Sequence, residues 1–288
     1  MSTILKWAGN KTAIMPELKK HLPAGQRLVE PFAGSCAVMM ATDYPSYLIG
    51  DVNPDLINMY EVIRDEVEWF IDVAKALFAC NNSPEQYYII REDFNSMQSL
   101  DLMWKAAYFL YLNRHCYRGL CRYNRKGHFN TPYGNYKAPY FPETEIRAFA
   151  EKAKCATFIC AGYDETLTMM RSGDVVYCDP PYDGTFNNYH SAGFTEDDQR
   201  KLALALSVKA RKGHAVIASN SNTQLIRDLY FSFSNFELYS VTAKRGMGVA
   251  AGDGKTAEEV IAVNNPLRWL RFDPAKGSDC TAVYEVRP

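Results

Sequence analysis

"RLVEPFAGSCAVMMATDYPSYLIGD" runs from Arg27 to Asp51, and its reading decides the fold. Arg27-Leu28-Val29-Glu30 is a short apolar run of strand character. It ends in the turn Pro31 to Cys36, which contains Gly34, and Ala37-Val38-Met39-Met40-Ala41 then reads as helix. A second strand, Tyr47-Leu48-Ile49-Gly50, stops at Asp51. A strand, a turn, a helix and a second strand make the opening unit of a doubly wound α/β sheet, which binds ligands outside the carboxyl ends of its strands. One glycine is not a dinucleotide fingerprint. Small residues after the first strand do let a ligand approach the backbone. Asp51 lies at roughly the 20-residue spacing at which an acid accepts ribose hydroxyls. Spacing alone allows equally that it caps the turn before Asn53-Pro54.

The same rhythm returns late in the chain. Thr157 to Cys160, Val175 to Cys178, Ala215 to Ala218, Phe236 to Val241 and Glu259 to Val263 read as strands. Thr195 to Lys212 reads as a helix, with a Thr cap, acids in its first turn, bases in its last and Gly213 beyond. Between the two α/β parts, residues 55–78 have helical character. A further helix opens at Ser83-Pro84-Glu85-Gln86, and a third runs from Ser99 to His115, apolar on most faces and so buried. From Cys116 to Pro142, Gly, Asn, Pro and Tyr suit a hairpin with loops. The expected organisation is an α/β sheet domain of residues 1–59 and 145–265, interrupted by an insertion over 60–144. Residues 266–288 form an extension with no assigned role.

Composition narrows the class. The N-terminus lacks the apolar core of a signal peptide, and no run approaches a membrane span, so a cytoplasmic protein is expected. The eight cysteines form no CxxC pair and lack histidine partners at zinc spacing, so reduced thiols and no metal are expected. Net charge is −1, but Leu102 to Pro142 contains no acid. That stretch carries Lys105, Arg114, Arg118, Arg122, Arg125, Lys126 and Lys137, interleaved with Tyr117, Tyr123, Phe129, Tyr133 and Tyr136. Cations hold phosphates and rings stack on bases, so the segment suits nucleic acid.

The strand at Val175 ends in "CDPPYDGT", Cys178 to Thr185. An exocyclic amino group of a base is a poor nucleophile, because its lone pair is delocalised into the ring. The Asp179 carboxylate and the Pro180 carbonyl can accept its two hydrogens and favour a tetrahedral nitrogen. Pro180 and Pro181 fix φ, so the carbonyl direction is set in advance. Tyr182 supplies a ring face for a flipped base.

Six segments together resemble the Dam-type DNA adenine-N6 methyltransferases, in that family's order: "LKWAGNK" from Leu5, "LVEPFAGS" from Leu28, "DVNPDLI" from Asp51, "LYLNR" with "YRGLCRYN" from Leu110, "FNTPYGNYKAPYFPE" from Phe129 and "CDPPY" from Cys178. The resemblance implies the S-adenosylmethionine-dependent methyltransferase fold, a doubly wound, mostly parallel, seven-stranded Rossmann-like sheet, with the insertion as target-recognition part. It implies that Trp7, Ala8, Gly9, Lys11, Phe32, Gly34, Asp51, Tyr163 and Asp179 line an S-adenosyl-L-methionine pocket, and that Asp179, Pro180, Pro181 and Tyr182 hold a flipped adenine. Lys6, Leu120, Arg122 and Pro132 would read base edges of GATC in double-stranded DNA, with Arg114, Tyr117, Arg118 and Asn124 completing the DNA-binding set. A monomer is expected, in a bacterial or phage-infected cell. The chain departs from the family at Asn10, where a second glycine is usual, at Arg118, where a small polar residue is usual, and in the loop Lys244 to Lys255.

Other chemistries fit less well. No Pro-Cys dipeptide supplies a cytosine-C5 thiol, and neither a zincin motif nor a nucleophile elbow occurs. His115 and Cys116 are neighbours on a helix and do not face each other. The rival readings are another amino methyltransferase, acting on cytosine N4, RNA or a protein glutamine, and a catalytically silent DNA-binding protein.

Overall fold

Leu28, Val175, Tyr177 and Ile217 pack on one side of a sheet, while their neighbours Val29, Val176, Cys178 and Val216 pack on the other. Successive strand residues point to opposite faces, so these near-continuous apolar runs make strands buried on both sides. The computed structural model describes residues 3–97, 101–184, 193–233, 236–244 and 256–264. Its strands are β1 (Arg27–Glu30), β2 (Ser46–Asp51), β3 (Ala156–Cys160), β4 (Asp174–Cys178), β5 (Ala215–Ser221), β6 (Glu237–Lys244) and β7 (Thr256–Asn264). They form one seven-stranded sheet in the order β3-β2-β1-β4-β5-β7-β6. β1 pairs in parallel with β2 and β4, with Val29 opposite Leu48 and Val176, and β7 runs antiparallel to β5 and β6. This is the doubly wound, mostly parallel sheet that the resemblance implied.

On one side, the core takes side chains from α1 (Met15–Leu18), α2 (Ala37–Ala41), α3 (Pro54–Asp65), α4 (Val67–Cys80), α5 (Pro84–Ser96), α6 (Leu102–His115) and α7 (Glu143–Ala153). On the other it takes them from α8 (Tyr163–Thr168), α9 (Glu196–Arg211) and α10 (Gln224–Phe231). Caps read from sequence are present. The Ser83 side chain accepts from Gln86 N at the start of α5, and Thr195 and Asp198 form a capping box at α9. Of the described helices, α1, α7, α8 and α10 are not named by the sequence reading, and α1, α8 and α10 are short.

The helical stretch over 55–78 is two helices. Glu66, at φ −136° and ψ 47°, separates α3 from α4 without a Gly or Pro to mark the break. Both helices pack against α6, and the change of direction lets them do so. α6 itself is buried along its whole second half, from Ala106 through His115 apart from Tyr108. Beyond it, the hairpin consists of a turn at Tyr117–Gly119 and isolated antiparallel bridges, Cys116 with Tyr133 and Tyr123 with Phe129. Ser99, residues 245–255 of the altered loop, and the extension after residue 265 lie outside the described residues. Among the described residues, no helix is long and apolar enough to cross a membrane.

Candidate active site

The turn after β1 is built around one glycine. Ala33 N donates to Gly50 O at 2.8 Å, and Gly34 N donates to Asp51 Oδ2 at 3.1 Å. Gly34 sits at φ +46°, and a Cβ there would lie 2.8 Å from the Trp7 indole nitrogen. Only glycine meets both demands without strain. Asp51 also accepts from Asn53 N at 3.0 Å through Oδ1, so it does serve the turn, at the carboxyl end of β2. The Gly34 carbonyl accepts from Tyr60 of α3.

The segment from Lys6 to Lys11 is fastened by α6. Asn113 Oδ1 accepts from Lys6 N at 2.9 Å, and its Nδ2 donates to Lys6 O at 2.8 Å and to Gly119 O at 3.0 Å. A buried amide thus ties three non-adjacent pieces of chain together. Asn10 accepts from Thr12 N at 2.8 Å and caps the turn Lys11–Ala13, which gives the departure from glycine a structural role. Gly9 takes φ +76°, and Lys11 turns inward, 4% exposed.

Lys11 Nζ lies 2.8 Å from Asp179 Oδ1 and 4.7 Å from the centroid of the Tyr182 ring. About 22% of the Asp179 side chain remains exposed, although Oδ1 itself is sealed from solvent. Burial pushes the Asp179 carboxyl up to about 6, with Lys11 opposing the rise. Glu30, at the end of β1 and 2% exposed, is pushed up to about 8 by burial and then by the Asp179 charge. Its Oε1 is buried without a hydrogen-bond partner. Burial also keeps the Tyr182 phenol protonated, and it donates to Glu259 Oε2 of β7 at 2.8 Å.

The backbone around Tyr182 is pinned from behind. Gln199 Nε2 of α9 donates to Pro181 O at 2.8 Å, and Asn220 Oδ1 of β5 accepts from Asp183 N at 3.1 Å. Asn220 Nδ2 joins the two by donating to Gln199 Oε1 at 2.9 Å. Both side chains are buried and satisfied, so the network rigidifies the loop. On the far side of β1, Phe32 stacks on Tyr163 at 5.7 Å, and Phe194 meets both rings edge-on, at 6.0 and 6.3 Å. Glu30, Gln199, Asn220, Glu259 and Phe194 are absent from the expected site residues, because each reaches the site through non-local packing. For Glu30 alone a local signal existed, its place in the "EPFAGS" turn.

The expected DNA-binding residues separate into two sets. Lys6 Nζ lies 3.6 Å from the Tyr136 ring centroid, and its stem packs on Gly119. Arg118, at φ +55°, has its guanidinium over the exposed Tyr117 ring at 5.2 Å. Tyr117 N donates to Pro132 O, and the exposed Arg122 donates through Nε to Asn130 Oδ1 at 2.7 Å. Lys6, Tyr117, Arg118, Leu120, Arg122 and Pro132 are all at least partly open to solvent. Arg114 is not. It is 7% exposed and donates to the Ile4 and Thr3 carbonyls, so it secures the N-terminal segment instead of presenting charge. Asn124 holds the hairpin loop by accepting from Lys126 N and His128 N. Lys105 is paired with Asp55 at 2.9 Å. The ring pattern is corrected in the same way. Phe129 is 1% exposed, and Tyr123 and Tyr133 pack on the core with their hydroxyls on Asp55 and Asn82.

Fold and site define a doubly wound α/β enzyme whose polar groups converge at the carboxyl ends of β1, β2 and β4. A family model of the D12 class N6 adenine-specific DNA methyltransferases matches residues 7–247, and the chain belongs to that family. It is 65% identical to the retron Ec67 DNA adenine methylase of Escherichia coli over 287 residues, covering 100% of both chains. Identity to the DNA adenine methylase of Serratia marcescens is 46% over 248 residues, 84% of this chain and 90% of the relative. With the DNA adenine methylase of Vibrio cholerae serotype O1 it is 43% over 269 residues, 91% and 95%.

Proposed function

We propose that the protein transfers a methyl group from S-adenosyl-L-methionine to N6 of an adenine flipped out of double-stranded DNA, within GATC. The observation that carries this reading is that Asp179 and Tyr182, after β4, stand beside the Gly34 turn after β1 and Asp51 at the end of β2. The fit to the cofactor rests on this chain's own geometry. Gly34 lets the first turn pack closely on Trp7 of the N-terminal segment, Asp51 offers carboxylate oxygens at the strand end, and Phe32, Tyr163 and Phe194 form an apolar wall. Trp7, Ala8, Gly9 and Lys11 complete that pocket. When bound, the cofactor supplies an electrophilic methyl group.

The residues do the rest by positioning. Ionised Asp179 and the Pro180 carbonyl accept the two amino hydrogens, which localises the lone pair of N6. Tyr182 carries the base on its ring, and the proline pair, with φ fixed, holds the carbonyl direction. Residues 60–144 act as the target-recognition insertion on a catalytic domain of residues 1–59 and 145–265. Lys6, Leu120, Arg122 and Pro132 read base edges, Arg being suited to bidentate pairing with guanine. The test is mass spectrometry of nucleosides from unmethylated DNA incubated with the protein and S-adenosyl-L-methionine. N6-methyladenine confined to GATC supports the reading, and N4-methylcytosine or methylation at other sequences overturns it.

A further inference from the structure

Tyr182 is held at three points. Gln199 fixes the carbonyl before it, Asn220 fixes the amide after it, and Glu259 accepts its phenol hydrogen at 2.8 Å. The first two determine where the backbone lies. The third acts on the far end of the ring, which also interacts with Asp179. Glu259 stands on β7 opposite Ser221 of β5 and Val241 of β6, at the point where the strand passes from the exposed Glu258 to the buried Val260. The central position of β7 in its antiparallel ladders makes that carboxylate a rigid anchor. A tyrosine ring fixed at backbone and tip has lost both of its side-chain rotations. Nothing in the bare chemistry of stacking needs a hydroxyl on that ring, so the phenol requires a reason of its own.

We propose that Glu259 is a positioning residue for methyl transfer, which by accepting the Tyr182 phenol fixes the ring face against which the target adenine is held. The proposal rests on the reading of Tyr182 as the residue that carries the base. Glu259 does not touch substrate. It acts through Tyr182, and its contribution is expected in the rate of the chemical step and not in cofactor binding.

The test compares single-turnover methylation of duplex DNA by wild type, Glu259→Ala, Glu259→Gln, Tyr182→Phe and the Glu259→Ala/Tyr182→Phe double variant. It is run near pH 8, above the value of about 6 to which Asp179 is raised, so that its ionisation is not the variable. Loss of the orienting hydrogen bond should slow Glu259→Ala by roughly tenfold and Tyr182→Phe by at least as much, with the KM for S-adenosyl-L-methionine little changed. The double variant should be no slower than the slower single one, since the Tyr182–Glu259 interaction is removed by both. Glu259→Gln, whose amide oxygen still accepts the phenol, should stay within about threefold of wild type. A wild-type rate in Glu259→Ala, additive losses in the double variant, or a Gln variant as slow as Ala would each overturn the proposal. Absence of N6-methyladenine with the wild-type protein would overturn the underlying reading of the site and this inference with it.

Discussion

Lys11 and Asp179 meet as an ion pair at 2.8 Å, joining the N-terminal segment to the loop after β4. The two are separated by most of the chain in sequence, and the pair brings the proposed cofactor pocket and the proposed base site to a common wall. Burial raises the Asp179 carboxyl to about 6, Lys11 opposes the rise, and Glu259 adds to it. A carboxyl so raised must lose its proton to accept an amino hydrogen. Methyl transfer should therefore increase with pH through about 6.

Removing the cation should move that limb. In Lys11→Met, Asp179 faces Glu259 without its counter-charge, so its value rises, by about one pH unit for an opposite charge at this distance. The pH dependence of the single-turnover rate at saturating cofactor reads the shift. An unchanged midpoint would show that Asp179 does not control the acid limb.

Gly34→Ala tests the close approach of the first turn to Trp7. The new methyl would meet the indole nitrogen at 2.8 Å in a left-handed backbone conformation. A stability loss of about 1–3 kcal/mol follows from backbone strain and overpacking, together with weaker S-adenosyl-L-methionine binding. Denaturant unfolding and calorimetric titration measure the two effects, and retention of both would contradict the account of this turn.

Arg122 lies exposed on the hairpin, its guanidinium on Asn130. If it reads guanine, Arg122→Ala should relax discrimination at one base pair by about 1–3 kcal/mol while leaving the others intact. Rates on duplexes carrying each single-base change in GATC give the profile. Uniform weakening with a shallower salt dependence would make it a phosphate contact.

His115 predicts an acid-sensitive fold. It is fully buried, and burial pushes its value down to about 4 from an ordinary 6.5. The neutral form is the one that fits, so this contribution is complete above about pH 6.5 and is lost as pH falls toward 4. The unfolded chain binds the extra proton in that window, and the loss amounts to roughly 3 kcal/mol. Urea unfolding as a function of pH should show a shallower slope for His115→Gln between pH 4 and 6.5 than for wild type. Equal slopes would remove His115 from the explanation.

Much of this architecture was legible where local signals suffice. β1 and α2 have the bounds read from their apolar runs, and the caps at Ser83 and Thr195 are those their spacing predicts. The break at Glu66 was not legible, because packing of α3 and α4 on α6 causes it and no breaker residue marks it. Arg114 and the hairpin rings show how a basic, aromatic stretch misleads. Charge and aromaticity were counted along the chain, whereas the second half of α6 is buried and takes Arg114 inside with it. The apolar character of that helix already carried the signal. The polar frame of the site, from Gln199, Asn220 and Glu259, depends on contacts across the sheet that no local pattern encodes.

The central claim is that Asp179 orients the amino group of adenine for methyl transfer. The most direct measurement is nucleoside mass spectrometry of unmethylated duplex DNA treated with wild-type protein or Asp179→Ala in the presence of S-adenosyl-L-methionine. The account predicts N6-methyladenine with wild type, none with the variant, and salt-dependent DNA binding by both. Near-normal N6-methyladenine formation by Asp179→Ala would contradict it.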